Sequence, residues 1–127
     1  MPIAGIGSDI VQIDRIRRIW RRYPARFPQR ILSDAESAEL GGQADPAAFL
    51  ARRFAAKEAA AKALGTGISQ GVAFTDFTVS HTGAGQPRLE LRGRALEVMQ
   101  QQSIESAHLS ISDDAGYAVA FVVLERA

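Results

Sequence analysis

A single α+β domain, a mostly antiparallel sheet packed against one long alanine-rich helix, is the fold this sequence predicts. Residues 46–64 carry alanine through successive turns and lie between an Asp-Pro start and a glycine stop, the pattern of a long, closely packed helix. Two pairs of strand-like stretches, around residues 74–92 and 107–125, are each joined by a glycine-containing turn. The resulting order, β-α-α-α-β-β-α-β-β, has no internal repeat, low-complexity tract or linker, which fits a compact α+β domain.

The 127 residues suffice for one domain, taken as 1–127, with a core of its own. A hydrophobic content of 46% with 23% charged residues is that of a globular chain. The absence of cysteine excludes a disulfide framework and a thiolate metal site. No apolar run reaches the ~18–20 residues that span a bilayer. Met-Pro-Ile-Ala-Gly lacks the charged and apolar regions of a secretory signal, so a cytoplasmic location is expected.

Ile3–Val11 reads as a strand, with Gly5, Gly7 and Asp9 on one side and Ile6, Ser8 and Ile10 on the other. Glycines weaken a strand unless a backbone or a ligand comes close. From Ile13 the period becomes helical, with Ile13, Ile16 and Trp20 inward. Pro24 and Pro28 punctuate an irregular stretch whose Phe27, Ile31 and Leu32 should dock on the core. Ser33-x-x-Glu36 is a capping box for a short helix ended by Gly41-Gly42. Asp45 caps the long helix, Pro46 opens it and Gly65 suits its left-handed stop. Phe74–His81 and Arg88–Arg92 form a hairpin around Thr82–Pro87, and Arg94–Gln102 a helix with Leu96 and Met99 inward. A second hairpin pairs Ala107–Ser112 with Tyr117–Glu125 around Asp113-Asp-Ala-Gly116. Its last strand, apolar on both faces from Val119 to Leu124, should be the buried centre of the sheet.

Chemistry-bearing residues are few. His81 and His108 are isolated and expected to pack or face water, not to ligate. There is no G-x-S-x-G elbow, no H-E-x-x-H and no P-loop, and Gly5-x-Gly7 lacks the third glycine of a dinucleotide loop because Ile10 stands there. What remains is Asp9 on a strand, Glu58 and Lys62 on the long helix, and Asp113 and Asp114 in a turn. Phe54, Glu58 and Lys62 are four apart, so one helical face offers an apolar group, a carboxylate and an ammonium. An exposed Glu–Lys pair alone would contribute only about 0.3–0.5 kcal/mol. Two carboxylates beside a lysine, however, are what Mg²⁺ plus a phosphate needs, since that ion takes oxygen ligands and completes its shell with water and phosphate. The Gly65-Thr66-Gly67 loop would let backbone N–H groups approach an anion.

Charge adds a second feature. Net charge is only +1, yet seven of the fifteen cationic residues (Arg15, Arg17, Arg18, Arg21, Arg22, Arg26 and Arg30) crowd one stretch, with no acid between Arg15 and Ser33. Such a block calls for an anionic partner.

Gly5-Ile-Gly7-Ser-Asp9-Ile-Val together with Arg53-Phe-Ala-Ala-Lys57-Glu58-Ala-x-x-Lys62-Ala-x-Gly65-Thr-Gly67 resembles the holo-acyl-carrier-protein synthases, the small trimeric branch of the 4'-phosphopantetheinyl transferases. The paired signature is highly specific. Phe27-x-x-Arg30-Ile-Leu32, Gly85-x-Pro87 and Tyr117-Ala-x-Ala extend the similarity along the whole chain. The resemblance implies the 4'-phosphopantetheinyl transferase fold and Mg²⁺-dependent transfer of 4'-phosphopantetheine from coenzyme A to a serine of apo-acyl carrier protein. The other product would be adenosine 3',5'-bisphosphate, and the reaction would serve fatty acid biosynthesis. It assigns the metal to Asp9 and Glu58, phosphate contact to Lys62, and coenzyme A contacts to Arg53, Lys62, Gly65, Gly67 and Pro87. The serine proton would pass to Glu58 or to a metal-bound water. Active sites would lie between subunits of a homotrimer. The first helix, through Arg15, Arg18, Arg21, Arg22 and Arg26, would dock the acidic carrier protein. One departure stands out: several relatives carry histidine after Ser-x-Ser, where this chain has Asp113, expected to be a turn residue. Competing expectations are a nucleic-acid-binding module, which would use the arginines but leave Asp9 and Glu58 idle, and a trimeric scaffold without activity. Neither a nucleic acid nor a membrane is expected as a partner.

Overall fold

Residues 2–127 are described by a computed structural model. Strand β1 (Ile3–Gln12) runs into helices α1 (Ile13–Arg22), α2 (Arg26–Ile31), α3 (Asp34–Leu40) and α4 (Pro46–Leu64). After a 3-10 turn at Phe74–Asp76 come β2 (Phe77–His81), β3 (Pro87–Leu91), α5 (Gly93–Gln101), β4 (Ile104–Asp114) and β5 (Tyr117–Arg126).

The ends of α4 follow local rules. Asp45 accepts from the Ala48 N–H at 3.2 Å, Pro46 occupies the first turn, and Gly65 closes the helix with φ 88°. Alanine on nearly every side then lets other backbones approach. Gly5 and Gly7 of β1 lie directly under the helix: a Cβ on Gly5 would sit 2.0 Å from the Ala63 carbonyl oxygen, and one on Gly7 1.9 Å from that of Ala59. The backbone whose close approach these glycines permit is therefore that of α4.

Strands β1, β5 and β4 form an antiparallel sheet in that order, and β2 pairs with β3 in a separate two-stranded sheet. Ala118, Ala120, Val122 and Leu124 bury the inner face of β5 against α4. The expectation that β5 is the buried centre is half right. It is central, but its outer face is bare, with Phe121 45% exposed between Ile6 and Ile10 of β1 at 62% and 63%.

Three local expectations are corrected. Pro28 does not break structure: it falls in the first turn of α2, where its missing N–H costs no helical bond. On α5 Met99 packs partly against the core as expected, but Leu96 is exposed, and the fully buried residues are Ala95 and Val98, three apart on one helical face. The second hairpin turns tightly on Ala115-Gly116, both with positive φ, so β4 runs on to Asp114 and Asp113 is a strand residue paired to Arg52 at 3.3 Å. Among the described residues, no helix is long and apolar enough to cross a membrane.

Candidate active site

Asp9 shares the inner side of β1 with Gly7, so the close approach of α4 at Ala59 brings the next helical turns over the carboxylate. Lys62 Nζ donates to Asp9 Oδ1 at 3.0 Å and to the Ser8 carbonyl at 3.1 Å. Glu58, one turn back on the same face, feels both groups. Burial pushes its carboxyl above the ordinary glutamate range, the Asp9 charge pushes the same way, and Lys62 opposes them. The structure thus brings together the three residues that the sequence singled out.

The donor set suits a hard cation. Among the described residues there is no cluster of three or more His, Cys, Asp or Glu. Asp9 and Glu58 would offer two carboxylate donors to a cation such as Mg²⁺, which takes oxygen ligands and completes its shell with water and phosphate. A divalent cation would also relieve the repulsion between the two carboxylates.

Glu58 marks where this pair meets a cleft of about 910 Å³ between α1, α2, α4 and the segment 68–74. One side of it is apolar: Phe54 stacks on Phe74 at 5.3 Å and faces Phe27 at 6.4 Å, with Ile19, Ile31 and Ile68 nearby. Gln29, Arg26, Arg30 and Glu58 make the rest of the lining polar. Tyr23, Arg26 and Arg30 stand at its edge on the side of the arginine block. Of that block, Arg17 is occupied by Asp14 and Asp45. Arg15, Arg18, Arg21, Arg22 and Arg26 are exposed and form no ion pair among the described residues. Arg22 and Arg26 flank the Tyr23 ring at 5.5 and 5.9 Å.

Other candidates fall elsewhere. The N–H groups of Gly65 and Gly67 cap α4, donating to the carbonyls of Lys62 and Ala61 at 3.0 and 3.1 Å, so they are not free to hold an anion as expected. What those glycines offer is open surface, with nothing within 4 Å of a would-be Cβ. Pro87 lines a second groove of about 340 Å³ with Arg88 and His108, which shares no residue with the Glu58 cleft. His108 is engaged with Glu125 at 2.5 Å.

Arg53 is not brought to the cleft. It is buried, stacks over Phe49 at 4.5 Å, and lies 3.5 Å from Glu36. It belongs to a charge network that the sequence did not disclose. Glu36 and Lys57, both 0% exposed, pair at 2.5 Å, and Lys57 also donates to the Ile31 carbonyl at 2.5 Å. Glu36 further accepts from the Ser33 N–H at 2.9 Å and the Val79 N–H at 2.8 Å. Burial lowers the proton affinity of Lys57 and Arg53, and Glu36 works against it. Breaking such a pair by removing one partner costs about 3–5 kcal/mol. The signal for it was the capping-box glutamate, whose second carboxylate oxygen needs a partner once the helix end is covered.

With this geometry in hand, comparison with known proteins is direct. Residues 5–122 match the family profile of the 4'-phosphopantetheinyl transferase superfamily. A holo-[acyl-carrier-protein] synthase of Vibrio cholerae is 52% identical over 124 residues, covering 98% of each chain. The crystal structure of the Neisseria meningitidis holo-[acyl-carrier-protein] synthase superposes with a TM-score of 0.92 at 41% identity, covering 98% of this chain and 100% of that one. The Helicobacter pylori enzyme, solved in complex with coenzyme A, gives 0.83 at 38% identity over 94% of this chain and 99% of that one. Motif, fold and full-length identity agree: the chain belongs to the 4'-phosphopantetheinyl transferase superfamily, as one of its holo-[acyl-carrier-protein] synthases.

Proposed function

We propose that the chain transfers 4'-phosphopantetheine from coenzyme A to a serine of apo-acyl carrier protein, with Mg²⁺ as cofactor and adenosine 3',5'-bisphosphate as the second product. The observation that carries this is the convergence of Asp9, Lys62 and Glu58 at one end of a partly aromatic cleft whose other edge is an arginine-rich helix. When bound, Mg²⁺ supplies charge neutralisation at the pyrophosphate, held by Asp9 and Glu58. Lys62, half exposed and now on Asp9, can swing its ammonium to a phosphate oxygen. The aromatic side at Phe27, Phe54 and Phe74 suits the pantetheine arm.

The incoming serine oxygen bonds to the phosphorus that carries pantetheine, the bond to the bridging oxygen breaks, and that oxygen leaves with adenosine 3',5'-bisphosphate. The serine proton passes to Glu58 or to a water beside it. No nucleophile is required of this chain, because the carrier protein brings it. Arg15, Arg18, Arg21, Arg22 and Arg26 give the acidic carrier protein a docking face beside the cleft.

The bare outer face of the β1-β5-β4 sheet supports assembly as a homotrimer. Ile6, Ile10, Val119 and Phe121 form a continuous apolar surface of the kind that marks an interface. Trimer formation would also explain why Pro87 lies apart from Glu58 within one chain: its groove would complete a neighbour's cleft, together with Gly65 and Gly67. The product suits fatty acid biosynthesis in the cytoplasm. Incubation of the chain with coenzyme A, apo-acyl carrier protein and Mg²⁺ should add the phosphopantetheine mass to the carrier protein and release the bisphosphate. No mass shift, or an unchanged rate with excess chelator, refutes the proposal.

A further inference from the structure

We propose that Lys57 is a positioning residue for this reaction: its ammonium fixes α2 against α4 across the cleft and so sets where Glu58 stands relative to the opposite wall. The inference rests on the transfer reaction above but on different atoms. Lys57 directly precedes Glu58, and its side chain points away from the cleft, into the interior. There Nζ donates to the carbonyl of Ile31, the last residue of α2, and to Glu36 Oε1, each at 2.5 Å. Ile31 lines the cleft itself, in the same short helix as Phe27 and Arg30, which form the wall facing Glu58. The final carbonyls of a helix lack intrahelical partners, and a cation there is favourable. A six-residue helix has little intrinsic stability, so its place depends on the packing of Phe27, Pro28 and Ile31 and on polar tethers such as this one.

The two ends of the pair do different work. Glu36 ties the start of α3, through Ser33, to β2, through Val79. Of the two, only Lys57 bonds to α2, at the Ile31 carbonyl. Stability therefore draws on both residues, while cleft geometry draws on Lys57. A buried ion pair needed only for packing could be replaced by neutral groups without harm; one that carries a tether could not.

Three variants separate these roles: Glu36→Gln, Lys57→Met, and the two combined. Glu36→Gln keeps an oxygen for Lys57 and leaves the Ile31 tether, so its melting midpoint should fall while kcat stays within about twofold of the parent. Lys57→Met should lower kcat by about tenfold or more, in line with the sensitivity of catalysis to ångström-scale misplacement, with the KM for coenzyme A changed by less than about twofold. The combined variant leaves no carboxylate unpaired but strands the buried Arg53 that Glu36 also faces. Its midpoint should therefore stay below the parent's, as in Glu36→Gln, while kcat, unlike in Glu36→Gln, stays low. Hydrogen exchange supplies a readout independent of activity: amides of residues 26–32 should exchange about tenfold faster in both Lys57 variants than in the parent, and those of α5 should not change. Parent-like kcat in the combined variant, kcat that merely tracks the midpoint across all three, or unaltered α2 exchange overturns the inference. An inactive parent protein would instead refute the transfer reaction, and the exchange measurement would still test the tether.

Discussion

Substituting Gly7 by alanine tests the contact on which the site's geometry depends. The added Cβ would lie 1.9 Å from the Ala59 carbonyl oxygen and 2.7 Å from the Ala63 nitrogen, both backbone atoms. Real Cβ atoms keep beyond 3.0 Å of such neighbours, so α4 must retreat from β1 by about 1.1 Å or the strand must bend away. Overpacking of this kind costs about 1–3 kcal/mol, and a backbone clash belongs at the upper end. At roughly 3–5 °C per kcal/mol for a domain of this size, the melting midpoint should drop by about 8–15 °C. The retreat also separates Asp9, on the strand, from Glu58 and Lys62, on the helix. A misplacement of about 1 Å can cost on the order of a hundredfold in rate, so phosphopantetheine transfer, followed by carrier-protein mass, should fall well beyond the loss of folded fraction. Because the clash is with backbone, a compensating Ala59→Gly should rescue neither quantity. A Gly7→Ala protein with parent midpoint and turnover, or full rescue by Ala59→Gly, would show that helix and strand do not touch as described.

Glu58→Gln should abolish most turnover while the circular dichroism spectrum and midpoint hold; near-normal turnover at limiting Mg²⁺ would remove Glu58 from the metal's ligands. Lys62→Ala should weaken coenzyme A binding or slow transfer by about 1.5–3 kcal/mol, the worth of one charge-assisted hydrogen bond, and unchanged kinetics would exclude that contact. Arg18→Glu with Arg22→Glu should raise the KM for carrier protein and flatten its salt dependence, with the KM for coenzyme A unaffected; a joint rise of both KM values would deny a partner-specific dock. Phe121→Glu, in the middle of the bare sheet face, should leave a folded monomer in sedimentation and cost turnover. A trimer that survives this change would not be built on that face.

What the sequence disclosed and what it hid divide along physical lines. The bounds of α4 were legible because Asp45, Pro46 and Gly65 act within a turn of where they stand. So was the meeting of Glu58 and Lys62, which helical spacing dictates. Glycine at positions 5 and 7 announced a close approach without saying by what, since only tertiary structure supplies Ala59 and Ala63. The burial of Lys57 and Arg53 was hidden for the same reason: the resemblance put Arg53 on coenzyme A, and beyond the Glu36 capping box nothing local says that further elements cover the network. On α5 Met99 was read correctly, but Leu96, a large apolar residue, lies exposed beside the buried Ala95, a difference that size and hydropathy alone do not signal. Aromatic residues 27, 54 and 74, far apart in the chain, form the cleft only after folding.

The near-complete burial of α4 bears on how the protein can be instrumented. Fourteen of its nineteen residues are inaccessible, and the others are Pro46, Arg52, Phe54, Glu58 and Lys62. Three of those five face the proposed chemistry, and Arg52 holds Asp113. A dye, spin label or cross-linker attached to this helix would therefore disturb either folding or the reaction. Gln100 on α5 is exposed and makes none of the described side-chain contacts, and the chain has no native cysteine. A thiol introduced there would be unique in the molecule, so carrier-protein arrival could be followed optically from a site outside the cleft.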